Sequence, residues 1–130
     1  MAIKNMWGNL ADISNIRTPH EILLEQSNFL SEMTNGLLEF KIERKQSSAV
    51  FSYDVYITLP SMKYMERLLR MSHDIKLYPA LLHDAQESRQ YDSKNQEEFE
   101  ENLGAILSSP ETMSLISSLM VQSRSGDFLV

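Results

Sequence analysis

The sequence predicts an α+β fold, a small antiparallel sheet of two to four strands packed against one long helix from the N-terminal half and two C-terminal helices. Three observations predict it. A capped amphipathic stretch runs from Pro19 to Thr34; apolar and polar residues alternate from Leu38 to Leu59 on either side of a polar turn; and two further stretches of helical spacing open at Ser93 and at Ser109-Pro110. The 130 residues are enough for one domain with its own core, and 42% hydrophobic with 23% charged residues is a globular composition rather than a disordered one.

In residues 1–17, Ile3, Met6, Trp7, Leu10, Ile13 and Ile16 recur at intervals of three and four, as in a short helix or packed arm. Trp7 reads as a side chain tucked onto the domain, with a partner-binding anchor as the sharper alternative. The first helix opens at Thr18-Pro19-His20-Glu21, where Thr18 can cap, Pro19 suits the first helical position and Glu21 completes a capping box. Ile22, Leu23, Gln26, Phe29, Leu30 and Met33 share one face of it, and Asn35-Gly36 supplies the left-handed residue that stops it.

Leu38, Phe40 and Ile42 then alternate with Glu39, Lys41 and Glu43, which is the period of a half-buried strand, and Gln46-Ser47-Ser48 reads as a turn. Phe51, Tyr53, Val55, Ile57 and Leu59 share one face of a second strand that Pro60 ends. The pair reads as an antiparallel hairpin covered by the preceding helix.

Residues 61–72 are read as helix, because Met62, Met65, Leu68, Leu69 and Ser72 recur at helical spacing among good helix formers. The competing reading carries the sheet through Tyr64 to Met71 and, past a His73-Asp74 turn, into a strand from Leu77 to Leu82, which Tyr78-Pro79 would set at an edge or make irregular. The polar run His83 to Asp92 reads as a loop. Ser93 and Gln96 form a second capping box before the stripe Phe99, Leu103, Ile106 and Leu107, and a last helix from Ser109-Pro110-Glu111 turns Met113, Ile116, Leu119 and Met120 inward. Residues 123–130 read as a loose tail. No repeat or low-complexity linker divides the chain, so residues 1–130 are expected to be one domain.

The formal charge of −6 is unevenly spread. Asp84 to Glu111 holds eight acids against two bases, whereas Lys41 to Lys76 holds seven bases against four acids. Without a concentrated basic surface, direct nucleic-acid binding is not expected. No run approaches the 18 or so apolar residues that span a bilayer, and the first residues have no apolar signal-peptide core, so the expectation is a cytoplasmic protein with no membrane partner. The absence of cysteine excludes disulfides, thiolate metal ligands and thiol nucleophiles.

Candidate chemistry is sparse. His73-Asp74 and His83-Asp84 repeat one dipeptide ten residues apart, and adjacent strands could gather two imidazoles and two carboxylates into a metal shell; the plainer reading is turn residues that hydrogen-bond locally. His20, in a first helical turn, is expected in solvent. The serines fall at caps and turns rather than in a GxSxG elbow, and the four glycines are too scattered for a phosphate loop, so no catalytic residue and no cofactor is assigned.

Glu97, Glu98, Glu100 and Glu101 flank Phe99 at a helix start, where the dipole favours acids; they read as a solvated helix face or as a surface for a basic partner. Tyr53, Tyr64 and Tyr78 read as half-buried sheet residues. Tyr56 differs, since it shares the polar face of its strand with Asp54 and Thr58 and so stands as an interface anchor. The expected function is a small non-enzymatic protein-binding module, of the inhibitor, immunity or adaptor kind, that contacts another protein through the acidic helix or the sheet face around Tyr56. The alternatives are a metal-dependent enzyme or ligand binder built on the two His-Asp pairs, and a structural subunit that self-associates as a homodimer through a sheet edge near Tyr78-Pro79.

Overall fold

A computed structural model describes residues 3–125. The order of elements is α1 (Pro19–Met33), β1 (Glu39–Ser47), β2 (Val50–Leu59), a 3-10 turn (Pro60–Met62), β3 (Tyr64–His73), β4 (Ala80–Asp84), β5 (Arg89–Ser93), α2 (Gln96–Leu107) and α3 (Pro110–Ser125). The α+β class holds, but the sheet has five strands rather than two to four, in the sequential antiparallel order β1-β2-β3-β4-β5.

The local signals at α1 act as expected. Thr18 Oγ1 accepts from the Glu21 N–H, the Glu21 carboxylate accepts from the Thr18 N–H, and Pro19 sits in the first turn. The helix ends where Asn35 and Gly36 turn to positive φ, 53° and 79°, and the Gly36 N–H closes on the Ser31 carbonyl. Thr34, buried beneath this turn, donates to the Leu30 carbonyl and accepts from the Leu38 N–H, which ties the helix end to the start of β1.

Residues 61–72 are not a helix. Lys63, at φ 53°, reverses the chain after the 3-10 turn, and β3 pairs along the whole of β2. A bulge explains the misleading period: Val55 faces Leu69 while Tyr56 faces Arg67, so Leu68 is the extra residue and both leucines turn inward. The expected loop at 83–92 is a hairpin, β4 to β5, whose turn is held by Asp84 accepting from the Gln86 and Glu87 N–H groups. Nor is β4 an edge, because it pairs with β3 on one side and β5 on the other; Pro79 lies just before its first residue and leaves the ladder intact. The cap of α2 is Asn95, not Ser93.

The layout of the helices also differs from the expectation, because they divide between two cores. The main core joins Ile22 and Leu23 of α1 to Tyr53, Val55, Leu69, Met71 and Leu82 of the sheet and to Phe99, Leu103 and Ile106 of α2. A second, smaller cluster joins Leu30, Leu38, Ile57 and Leu59 to Leu119 of α3. All three helices thus lie on one face of the sheet, α1 over β1 and α2 over β4 and β5, while α3 meets α2 at their corner, sets Leu119 on Leu30 and the sheet, and leaves a cleft between α1 and the α2–α3 pair. The opposite face bears Lys41, Glu43, Lys45, Asp54, Tyr56, Arg67, Arg70 and His83, and no described element covers it.

Residues 3–16 form neither a helix nor a packed arm. Trp7 is 88% exposed instead of tucked onto the domain, and Ile3, Met6, Leu10 and Ile13 are exposed with it. Residues 123–125 belong to α3, and the remainder of the expected tail lies outside the described residues.

Candidate functional site

The open sheet face is organised around one carboxylate. Asp54 sits at the middle of β2 with only 4% of its surface exposed, although it points away from the core. Its cover is cationic. Arg70 on β3 donates from Nε to Asp54 Oδ1 at 2.7 Å, and Lys45 on β1 and Arg67 on β3 approach at 3.8 and 4.0 Å. The Arg70 hydrogen bond, with the charges of Arg70, Lys45 and Arg67, holds the Asp54 carboxyl below its ordinary value against the opposing effect of burial.

Tyr56 lies two residues further along β2, half-buried, between Lys41 on β1 and Arg67 on β3. The period of two puts Asp54 and Tyr56 on one face, and the antiparallel register brings the cations from both neighbours to them. The result is an array of two arginines, two lysines, Glu43 and a tyrosine, in which Arg70 is held by its hydrogen bond to Asp54 and Lys41 is paired with Glu43. Such groups lose little freedom when they meet a partner, and Arg and Tyr are the side chains that most often anchor interfaces.

The acids of α2 are not a uniform surface. Glu98 accepts from the Lys94 N–H while its own N–H donates to Asn95 Oδ1, so it serves the helix start. Glu100 faces Arg17 and the Gln96 side-chain amide. Glu97 and Glu101 are exposed.

The two His-Asp pairs are not brought together. His73 ends β3 on the core side, its Nδ1 2.6 Å from the Asp74 carbonyl, while Asp74 is exposed and accepts from the Lys76 N–H. His83 lies opposite Arg70 on the open face, and Asp84 is buried in the β4–β5 turn. Among the described residues no group of three or more His, Asp or Glu side chains is arranged to hold a metal ion. His73 instead joins a stack: its ring lies 5.5 Å from Phe51 and 5.7 Å from Tyr53, and His20 lies 5.0 Å from the same Tyr53. His20 is therefore half-buried, not in solvent, and burial followed by the nearby Arg44 charge lowers its pKa.

One surface has no forerunner in the sequence reading. Between α1 and the α2–α3 pair runs an apolar cleft of about 540 Å³, with Phe40, Ile57 and Leu68 of the sheet among its lining and Arg17, Glu25 and Glu100 at one end. Phe29 and Met33 on α1 and Met113 on α3, read as core, are 53%, 69% and 40% exposed along it. Helical spacing assigns these residues to an apolar face but does not say how much of that face a neighbour covers; the excess width of the stripe was the signal.

Compared with protein-family models, with curated proteins and with solved structures, the chain matches none.

Proposed function

We propose that this chain is a protein-binding module that docks an acidic surface of another protein on the open face of its sheet. The observation that carries the reading is the braced cluster: Asp54 is buried beneath Lys45, Arg67 and Arg70 beside Tyr56, on a face that no described element covers. Asp54 and Glu43 offset two of the four cations Lys41, Lys45, Arg67 and Arg70, so the cluster keeps a positive surplus of two in a protein whose total charge is −6. Carboxylates of a partner would meet Arg67 and Arg70 in place, and Tyr56 would supply the apolar contact between them.

The test is capture of partners by the full chain at low and high salt, run beside Tyr56→Ala, Arg67→Glu and the double substitution Glu97→Lys/Glu101→Lys. A stoichiometric partner held at low salt, released at high salt, lost in the first two variants and kept by the third supports the reading. Loss confined to the α2 variant would transfer the contact to the acidic helix, and equal capture by all four proteins would end the proposal.

A further inference from the structure

The cleft and the N-terminal arm are two apolar surfaces that no described residue of a single copy covers. We propose that they cover each other between copies: residues 3–13 of one chain form an amphipathic helix in the cleft of a second, and the exchange is reciprocal.

The arm has the pattern for it. Ile3, Met6, Trp7, Leu10 and Ile13 fall at steps of three, one, three and three, which places them along one side of a helix. Every one of them is exposed, Leu10 to 97%. The dimensions agree as well. The α1 wall of the cleft runs from Ile22 to Met33, about 16 Å at the helical rise, and Ile3 to Ile13 as a helix spans about 15 Å.

The arm stays outside the cleft of its own copy, with Ile3, Met6, Trp7, Leu10 and Ile13 all exposed, although its root is held beside that cleft. Arg17 is clamped from three sides: its N–H donates to Gln96 Oε1, its carbonyl accepts from the Tyr78 hydroxyl, and its guanidinium is paired with Glu25 and Glu100. Pro19 and the Thr18 cap follow at once. The chain therefore leaves the body at the charged end of the cleft, through a turn in which the Ile16 N–H closes on the Ile13 carbonyl and the Ser14 N–H on the Asp12 carboxylate. A single chain leaves five large apolar side chains in water, whereas two chains related by a twofold axis fill both clefts with one operation.

Trp7 is the single tryptophan, so its fluorescence reports on the arm alone. Light scattering and Trp7 emission of the full chain would be followed over a dilution series, beside Leu10→Glu in the arm and Met33→Glu in the cleft, with far-UV circular dichroism to verify the fold. Both substituted side chains are exposed in the single copy, so the fold should persist. The expected result is a dimer with blue-shifted Trp7 that turns red as it dissociates, and dimer affinity weakened about tenfold or more in each variant. Because the Leu10→Glu chain keeps its cleft and the Met33→Glu chain keeps its arm, mixing them should give a heterodimer with one of the two contacts intact, weaker than the parent dimer. A monomer with blue-shifted Trp7 would put the arm on its own body, water-exposed Trp7 at every concentration would leave it free, and a dimer indifferent to both substitutions would lie elsewhere; each result overturns the proposal. Sheet-face binding is read separately, since neither substitution touches Tyr56 or Arg67.

Discussion

Asp54 on β2 and Arg70 on β3 are cross-strand partners on the open face of the sheet, joined by a 2.7 Å hydrogen bond that leaves the carboxylate buried and the guanidinium half in water. The asymmetry sets what the pair does. Arg70 can be solvated without Asp54, but Asp54 has exchanged water for three cations. Its stabilising contribution is full above the ordinary carboxylate pKa of 3.8 and is lost as the pH falls through the lower value of the folded state.

Asp54→Asn should therefore destabilise the domain by about 1–2 kcal/mol at neutral pH, less than a wholly buried pair because the cations remain solvated. Denaturant unfolding measures it. The difference between the variant and the parent should shrink as the pH drops below about 4, and a difference independent of pH would mean that packing, not charge, holds Asp54 in place.

The Tyr78 hydroxyl donates to the Arg17 carbonyl at 3.1 Å, and burial, reinforced by the Glu100 charge, pushes the phenol pKa from 10.0 up to about 12. The raised value means that the folded chain resists ionising this group. The stabilisation is whole below pH 10 and is lost as the pH rises toward 12. Wild-type protein should lose up to about 2 kcal/mol over that interval through Tyr78, a loss that Tyr78→Phe should not show. Because the Tyr64 phenol is also held up, by its hydrogen bond to Glu66, the Tyr78 titration is best taken as the ultraviolet difference between parent and variant.

The parts of the fold that were legible are those fixed by neighbours in sequence. The Thr18–Glu21 box, the Asn35-Gly36 stop and the alternation from Phe51 to Leu59 are local, and each forms as read. The alternation also put Tyr56 and Asp54 on the open face, so half of the candidate site could be read from β2 alone. What failed depends on distant chain. Leu68 and Leu69 both turn inward through a bulge that exists only against β2, and Arg89–Ser93, with Tyr91 its sole large apolar residue, is a strand because β4 supplies its hydrogen bonds. The cations over Asp54 come from β1 and β3, and the cleft is lined by α1, α2, α3 and the sheet together, neither of which has a signature in a stretch of sequence.

His20 provides the acid counterpart of Tyr78. Its folded-state pKa lies below 6.5, so the unfolded chain binds a proton more readily, and stability that is full above pH 6.5 falls as the pH drops. The charged and titratable groups around it are Arg44, Glu21 and His73, of which Glu21 opposes the shift. His20→Phe keeps a ring on Tyr53 but cannot be protonated. Between pH 6.5 and 5 the variant should lose stability more gradually than the parent, by at most about 1.4 kcal/mol per pH unit, the limit for one proton. Parallel pH profiles would assign the acid sensitivity to other groups.

The corner between α2 and α3 turns on a buried hydroxyl. Thr112 is 1% exposed; its Oγ1 donates to the Ile106 carbonyl at 2.8 Å and accepts from the Ser109 hydroxyl at 3.0 Å, while the Ser109 hydroxyl accepts from the Thr112 N–H. Val would keep the shape of Thr112 and remove both hydroxyl bonds, leaving Ser109 to find another acceptor inside the corner. Thr112→Val should cost about 1–2 kcal/mol in urea unfolding, with the denaturant dependence unchanged. Thr112→Ser keeps the hydroxyl and deletes one methyl, so it should cost about 1 kcal/mol or less. If Val were the milder substitution, the methyl would be the group that sets the corner. The angle of α3, and with it the width of the cleft, would then follow from packing rather than from the hydrogen-bonded hydroxyl pair.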